Sequence, residues 1–151
     1  MEKFYDIKQN GKDHVIVHSV LCNERRTNDG VKNGGERVVE EVMEVIQSRI
    51  NEYCPMCMNI TDVTLSFVGN SLGGLYSRYA IARIYENLTS HEVPKETDYV
   101  MRLENGIPLH FNIFCTTASP HLGTANHTYL PLPRTAEIGI GYVMGATGQD
   151  L

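Results

Sequence analysis

A chain of 151 residues with 42% hydrophobic and 21% charged residues has the length of one domain and the composition of a globular protein, not of a disordered segment. Its net charge of −5, from 13 basic and 18 acidic side chains, argues against a binder of nucleic-acid backbones, which would present a basic face. No apolar run approaches the roughly 18 residues of a membrane-spanning helix, and the start Met-Glu-Lys-Phe-Tyr-Asp lacks the apolar core of a signal peptide.

The first apolar run, His14-Val-Ile-Val-His-Ser-Val20, is short and β-branched and follows the turn-like Asn10-Gly11-Lys12-Asp13; it reads as a buried strand. A polar, glycine-bearing loop covers residues 22–35. From Glu36 the spacing becomes helical. Val38, Val42, Val45, Ile46 and Ile50 share one face, and Glu40, Glu41, Glu44 and Gln47 take much of the other. Early acidic residues suit the positive end of the helix dipole, and the helix is expected to end near Tyr53, before Pro55. Asp62-Val-Thr-Leu-Ser-Phe-Val-Gly69 is a second strand, apolar at nearly every other position.

Residues 71–88 return to helical spacing through Leu72, Leu75, Tyr79 and Ile84, and a polar loop covers 89–105. Leu109-His-Phe-Asn-Ile-Phe-Cys115 is the third strand, running into Thr116-Thr-Ala-Ser-Pro-His-Leu-Gly123. The glycine-rich tail (Gly139, Gly141, Gly145, Gly148) has no assignable element. Strands alternating with helices imply parallel pairing, right-handed crossovers and an α/β sheet covered on both faces, within a single domain over residues 1–151.

The chemistry centres on Gly69-Asn70-Ser71-Leu72-Gly73, followed by Gly74. This G-x-S-x-G lies between a predicted strand and a predicted helix, the context a nucleophile elbow requires. The bare pattern occurs by chance in about one chain in twenty of this length, so the flanking elements carry the argument. A serine on so tight a turn is expected to hold a strained backbone, and a Cβ two residues before or after it would clash. The strain lifts the hydroxyl above the sheet edge, at the positive end of the next helix. The Leu72 amide then points where an oxyanion would form. The bland reading is a glycine-rich turn of a nucleotide-binding crossover, but the G-x-G-x-x-G such a site needs is absent.

The run Val63-Thr-Leu-Ser-Phe-Val-Gly-Asn-Ser-Leu-Gly-Gly-Leu-Tyr-Ser-Arg-Tyr-Ala-Ile-Ala82 resembles the elbow of a serine esterase family of lipase-like α/β-hydrolases, DUF676. That family reads "I-S-F-V-G-H-S-L-G-G-L-x-x-R-Y-A-I" here. Arg26-Thr-Asn-Asp-Gly-Val-Lys-Asn-Gly-Gly-Glu-Arg-Val-Val-Glu-Glu-Val42 is similar to its "T-x-D-G-I-x-x-G-G-E-R-L-A-x-E-V". Thr117-Ala-Ser-Pro-His-Leu-Gly123 is similar to its "A-T-P-H-L-G", and Thr147-Gly-Gln-Asp-Leu151 to its "T-G-x-x-L". The resemblance implies a partial α/β-hydrolase-type parallel sheet with flanking helices, and a hydrolase of carboxylic esters, lipid esters among them. Ser71 would be the nucleophile and the Leu72 amide part of the oxyanion hole. No cofactor and no metal are implied.

There are departures from the pattern. Asn70 stands where the family has histidine; both are tolerated in tight turns. The resemblance places the triad acid and histidine on strands after the serine, so residues 1–151 are expected to be the central, truncated part of the domain. A strand carrying a His-Gly pair and the second oxyanion amide is also expected to be missing. His18-Ser19 is read either as the family's next strand or as a degenerate form of that oxyanion strand.

Within the chain, His91, His110, His121 and His127 follow Ser71, with Glu86, Glu92, Glu96, Asp98, Glu104, Glu137 and Asp150 as acids. His121 is best placed for a base, because the third strand should end beside the elbow; the alternative is a structural residue packing the loop near the site. Cys54-Pro55-Met56-Cys57 could be a redox pair or half a zinc site, but no second pair accompanies it and it follows a helix. Three N-x-S/T sequons, at Asn59, Asn87 and Asn126, carry no information without a signal peptide.

The expectation is a serine esterase or lipase-like hydrolase with an ester or lipid substrate and weak turnover, because no triad acid and histidine can be identified. The alternative is a non-catalytic hydrolase-like binding module or gene fragment. Four scattered cysteines fit a reducing, cytoplasmic compartment, with peripheral contact to membranes. Open sheet edges are expected to favour a homo-oligomer.

Overall fold

The computed structural model describes residues 4–9, 13–53, 60–89, 101–123 and 145–150. Their elements, in chain order, are β1 (Phe4–Gln9), β2 (Asp13–His18), α1 (Val31–Tyr53), β3 (Val63–Asn70), α2 (Leu72–Thr89), β4 (Met101–Arg102), β5 (Pro108–Thr117) and α3 (Gly145–Asp150). The strands form a three-stranded mixed sheet in the order β3-β5-β4 and a separate two-stranded ribbon of β1 and β2. Helices flank the sheet, so the arrangement is α/β.

β3 and β5 are parallel, from Val63 beside Leu109 to Asn70 beside Thr117, with a bulge that puts an extra β5 residue between the partners of Leu65 and Phe67. Phe67 and Gly69 are buried while Thr64, Ser66, Val68 and Asn70 are exposed. The covered face meets α2, and α1 packs on α2. One core results, joining Val38, Val39, Val42 and Ile50 of α1, Phe67, Tyr76, Ala80 and Ile84, and Met101, Leu103 and Leu109. The apolar-polar alternation of β3 is thus the signature of a strand buried on one face. Among the described residues the other face is left open, and Val68 on it is 80% exposed.

Three expectations are corrected. β2 is not a buried strand of a parallel sheet: it pairs antiparallel with β1, from Phe4 beside His18 to Gln9 beside Asp13, and leaves Val15 and Val17 40% and 47% exposed. The supposed polar loop at 89–105 contains β4, whose Met101 is buried and faces Leu109 across a tight antiparallel turn. That turn is closed by Leu103 N–H to Ile107 O (3.0 Å) and Gly106 N–H to Leu103 O (2.8 Å), with Gly106 at φ +81°. The sheet is therefore mixed, not parallel. The glycine-rich tail holds the short helix α3.

α1 also begins five residues before Glu36, and takes in Gly34 and Gly35. The reason is tertiary. A Cβ on Gly34 would come within 2.5 Å of the Tyr76 ring carbon bearing the hydroxyl, and one on Gly35 within 2.7 Å of the Tyr79 ring. The two glycines let α1 and α2 approach until Tyr76 and Tyr79 rest against helix backbone. Glu36 continues the same seam, accepting from Tyr79 Oη (2.8 Å) and from Arg83 Nε (3.0 Å).

Candidate active site

The junction of β3 and α2 is a single residue. Ser71 holds φ +51°, in the left-handed region that β-carbon sterics disfavour, and is exposed. Its N–H donates to Thr117 O (2.8 Å) at the end of β5, and its carbonyl accepts from Gly74 N–H (3.0 Å). One bond closes the sheet and the other opens the helix, so the strained conformation is held from both sides. Among the described residues the Leu72 N–H, first of α2, makes no hydrogen bond outside its helix. That N–H has no partner in its own helix. Asn70 is exposed at the last β3 position, beside Thr117.

The glycines around the serine divide unexpectedly. A Cβ on Gly69 would lie 2.6 Å from Gly74 Cα and 2.7 Å from Gly74 N, so strand and helix touch backbone to backbone. A Cβ on Gly74 would overlap Ser119 Oγ and come within 2.7 Å of Ser119 Cβ. A Cβ on Gly73 would meet nothing within 4 Å. The close approach is therefore required at 69 and 74, and not at 73 as the motif argument expected.

His121 lies in the loop after β5. Its Nε2 is 3.0 Å from Thr116 Oγ1 and its Nδ1 3.3 Å from Arg78 Nη1, which also donates to the His121 carbonyl (3.3 Å). Phe114 meets the imidazole edge-on at 6.1 Å. Among the described residues no carboxylate bonds to it. Arg78 and Thr116 were not singled out by the motif argument. Arg78 could have been, since it falls inside the run that resembles the family's R-Y-A.

The other sequence candidates lie elsewhere. His18 Nε2 donates to Glu41 Oε1 on α1 (2.6 Å), and the same carboxylate accepts from Leu21 N–H (3.0 Å) and Cys22 N–H (2.8 Å). The His18-Ser19 segment ends the ribbon and forms no strand beside β3. Burial alone would raise the Glu41 pKa, but hydrogen bonds from the Cys22 thiol, the Leu21 and Cys22 amides and His18 outweigh it and hold the carboxyl below its usual range. Burial, reinforced by Glu41, pushes the Cys22 thiol up to about 12, which disfavours the thiolate. Cys54 and Cys57, with His91 and His127, lie outside the described residues. Among the described residues no group of three or more His, Cys, Asp or Glu could hold a metal ion, and no helix is long and apolar enough to cross a membrane.

The remaining sequence blocks form one polar clasp. Asp29 pairs with Arg37 (2.6 Å), whose Nε donates to Asn23 Oδ1 (2.8 Å) and whose Nη2 donates to Arg26 O (2.8 Å). Buried Thr147 accepts from Gly30 N–H (2.9 Å) and donates to Thr27 O; Asp150 Oδ2 accepts from Val31 N–H (2.6 Å). The N-terminus of α1 is thus capped by a carboxylate from more than a hundred residues away.

The family described as "Putative serine esterase (DUF676)" matches residues 1–151. The chain is 33% identical over 154 residues to a protein of Saccharomyces cerevisiae described as "Putative lipase ROG1", an alignment covering 100% of this chain and 18% of that protein. It thus spans about a fifth of the length of this curated relative. No solved structure matches. With the elbow, the clasp and the loop after β5 in the family's order, and the family match running from end to end, the chain belongs to the serine esterase family DUF676.

Proposed function

We propose that this chain carries the nucleophile of a lipase-like serine esterase, within a single domain of α/β-hydrolase type that acts on carboxylic esters of lipids. The observation that carries the proposal is the left-handed backbone of exposed Ser71 between a parallel strand and a helix. The conformation costs about 1–2 kcal/mol, and the bonds from Ser71 N–H to Thr117 O and from Gly74 N–H to Ser71 O hold it. In this reading the Ser71 hydroxyl attacks the ester carbonyl, and the Leu72 amide, at the positive end of α2, stabilises the developing oxyanion. The family description and the lipase name of the yeast relative favour an ester substrate of lipid type. The chain would act in the cytoplasm, reaching lipid at membrane surfaces, and the outer edge of β3, unpaired among the described residues, is where a second copy could add a strand.

The test is labelling with a fluorophosphonate, which forms a stable adduct with an activated serine. Intact mass should show one adduct, mapped by peptide sequencing to Ser71 and absent from Ser71→Ala. A folded chain whose Ser71 stays unmodified refutes the proposal. A second reading, a non-catalytic hydrolase-like binding module, is favoured by the partners of His121, which among the described residues are an arginine and a threonine and no carboxylate. Without an acid behind it, an imidazole is a weak general base. Turnover of short activated esters should accordingly be slow even where labelling succeeds.

A further inference from the structure

Two residues other than glycine are left-handed at the ends of the two parallel strands. Ser71 follows β3 at φ +51° and Ala118 follows β5 at φ +52°. They are joined by one hydrogen bond, from Ser71 N–H to Thr117 O (2.8 Å), the carbonyl immediately before Ala118. The orientation of that carbonyl depends on Ala118 keeping its unfavourable conformation, so the Ser71 backbone is only as well placed as the turn after β5. Alanine has no polar side chain with which to stabilise the left-handed region locally, and the restraint must come from outside.

The outside restraint is visible. His121 N–H donates to Ser119 O (2.9 Å) and Gly123 N–H to Pro120 O (3.0 Å), which folds the loop on itself. Ser119 seats against Gly74 of α2. Arg78, one turn further along α2, reaches both the carbonyl and Nδ1 of His121, and Nε2 returns to Thr116 Oγ1. A guanidinium can only donate, so Nδ1 accepts and Nε2 carries the hydrogen directed at the threonine. His121 thereby bridges helix and strand, with both ring nitrogens engaged.

We propose that Arg78 and His121 are positioning residues, a latch that holds the strained turn at Ala118 and through Thr117 O sets the backbone of Ser71. The link to reactivity rests on the reading of Ser71 as nucleophile; the link to its backbone does not. The test uses the 151-residue chain and measures amide hydrogen exchange at Ser71 alongside its fluorophosphonate labelling rate. Arg78→Ala and His121→Ala should each raise Ser71 exchange about tenfold and slow labelling by a similar factor, with little change in exchange at Ala80 and Ile84 in the core. His121→Asn should restore both to within about threefold, since its amide can accept from Arg78 and donate to Thr116. In an Ala118→Gly background the effect of Arg78→Ala should shrink, because glycine meets no steric penalty in the left-handed region.

Unchanged Ser71 exchange in both alanine variants overturns the latch. So does a His121→Asn variant with normal exchange and labelling as slow as His121→Ala, which would make the imidazole a base. If the exchange pattern holds while no chain is labelled, the latch stands and the nucleophile reading falls.

Discussion

Replacing each elbow glycine by alanine should produce three different outcomes, although a motif treats two of the three as equivalent. At Gly73, the second residue of α2, an added Cβ finds open space and φ is not positive. Alanine there removes the entropic cost of a helical glycine and should stabilise the fold by up to about 1 kcal/mol. At Gly69 the obstacle is the Gly74 backbone at 2.6 and 2.7 Å, which cannot rotate away. Alanine there must separate β3 from α2, at about 3 kcal/mol or more, the upper end of overpacking costs. At Gly74 the obstacle is mainly the Ser119 side chain, with Thr116 Cγ2 at 3.0 Å. Rotation of Ser119 relieves part of the clash, leaving about 1–2 kcal/mol. Ser119→Ala should rescue Gly74→Ala only partly, because the Ser119 Cβ also sits at 2.7 Å; Ser119→Gly should rescue it further. Urea denaturation midpoints at constant slope read out the series. A Gly73→Ala variant as damaged as Gly69→Ala would refute the reasoning.

Two further outcomes follow from the polar clusters. Glu41→Gln should cost about 1–3 kcal/mol at neutral pH, since one amide oxygen cannot serve the two backbone N–H groups and His18 that a carboxylate accepts together. Because hydrogen bonding holds the folded Glu41 carboxyl below its ordinary value of 4.5, its contribution is complete above about pH 4.5 and fades as the pH falls through the folded value. The stability gap between wild type and Glu41→Gln should therefore narrow on acidification in urea titrations, and a gap that widens would contradict the assignment. Thr147→Val should leave the Gly30 N–H and Thr27 carbonyl unsatisfied in a buried site, at about 1–3 kcal/mol. Asp150→Ala should cost about 1 kcal/mol as a lost cap, with faster exchange at Val31 and not at Ile84.

Much of the architecture was legible because it depends on local period. The helical spacing from Val38 to Ile50 and the alternation of β3 each describe one element meeting one core, and the apolar run of β5 is legible as a strand although only its Leu109 is buried. The elbow was legible for a related reason: strand, glycine, serine, glycine and helix are adjacent in sequence, so a local pattern specifies a local turn. What escaped was non-local or hidden in polar text. β4 is two residues long and owes its existence to Leu109 beside Met101. The Asn105-Gly106 pair is its available signal, set in a stretch whose polarity reads as loop. β2 looked buried because its valines are β-branched, yet its partner is the unremarked Phe4–Gln9 and the ribbon leaves those valines half in water.

Taken alone, the amino-acid sequence determined the family, the order of the principal helices and strands, and the serine that the chain presents at a strand-to-helix turn. Only the tertiary structure decided which glycine makes that turn possible, because a steric requirement belongs to whatever lies opposite the missing Cβ. It also decided that His121 is bound to Arg78 and Thr116, and that Asp150 caps a helix beginning at Val31. Those contacts join residues far apart along the chain, and sequence patterns carry no distances between them.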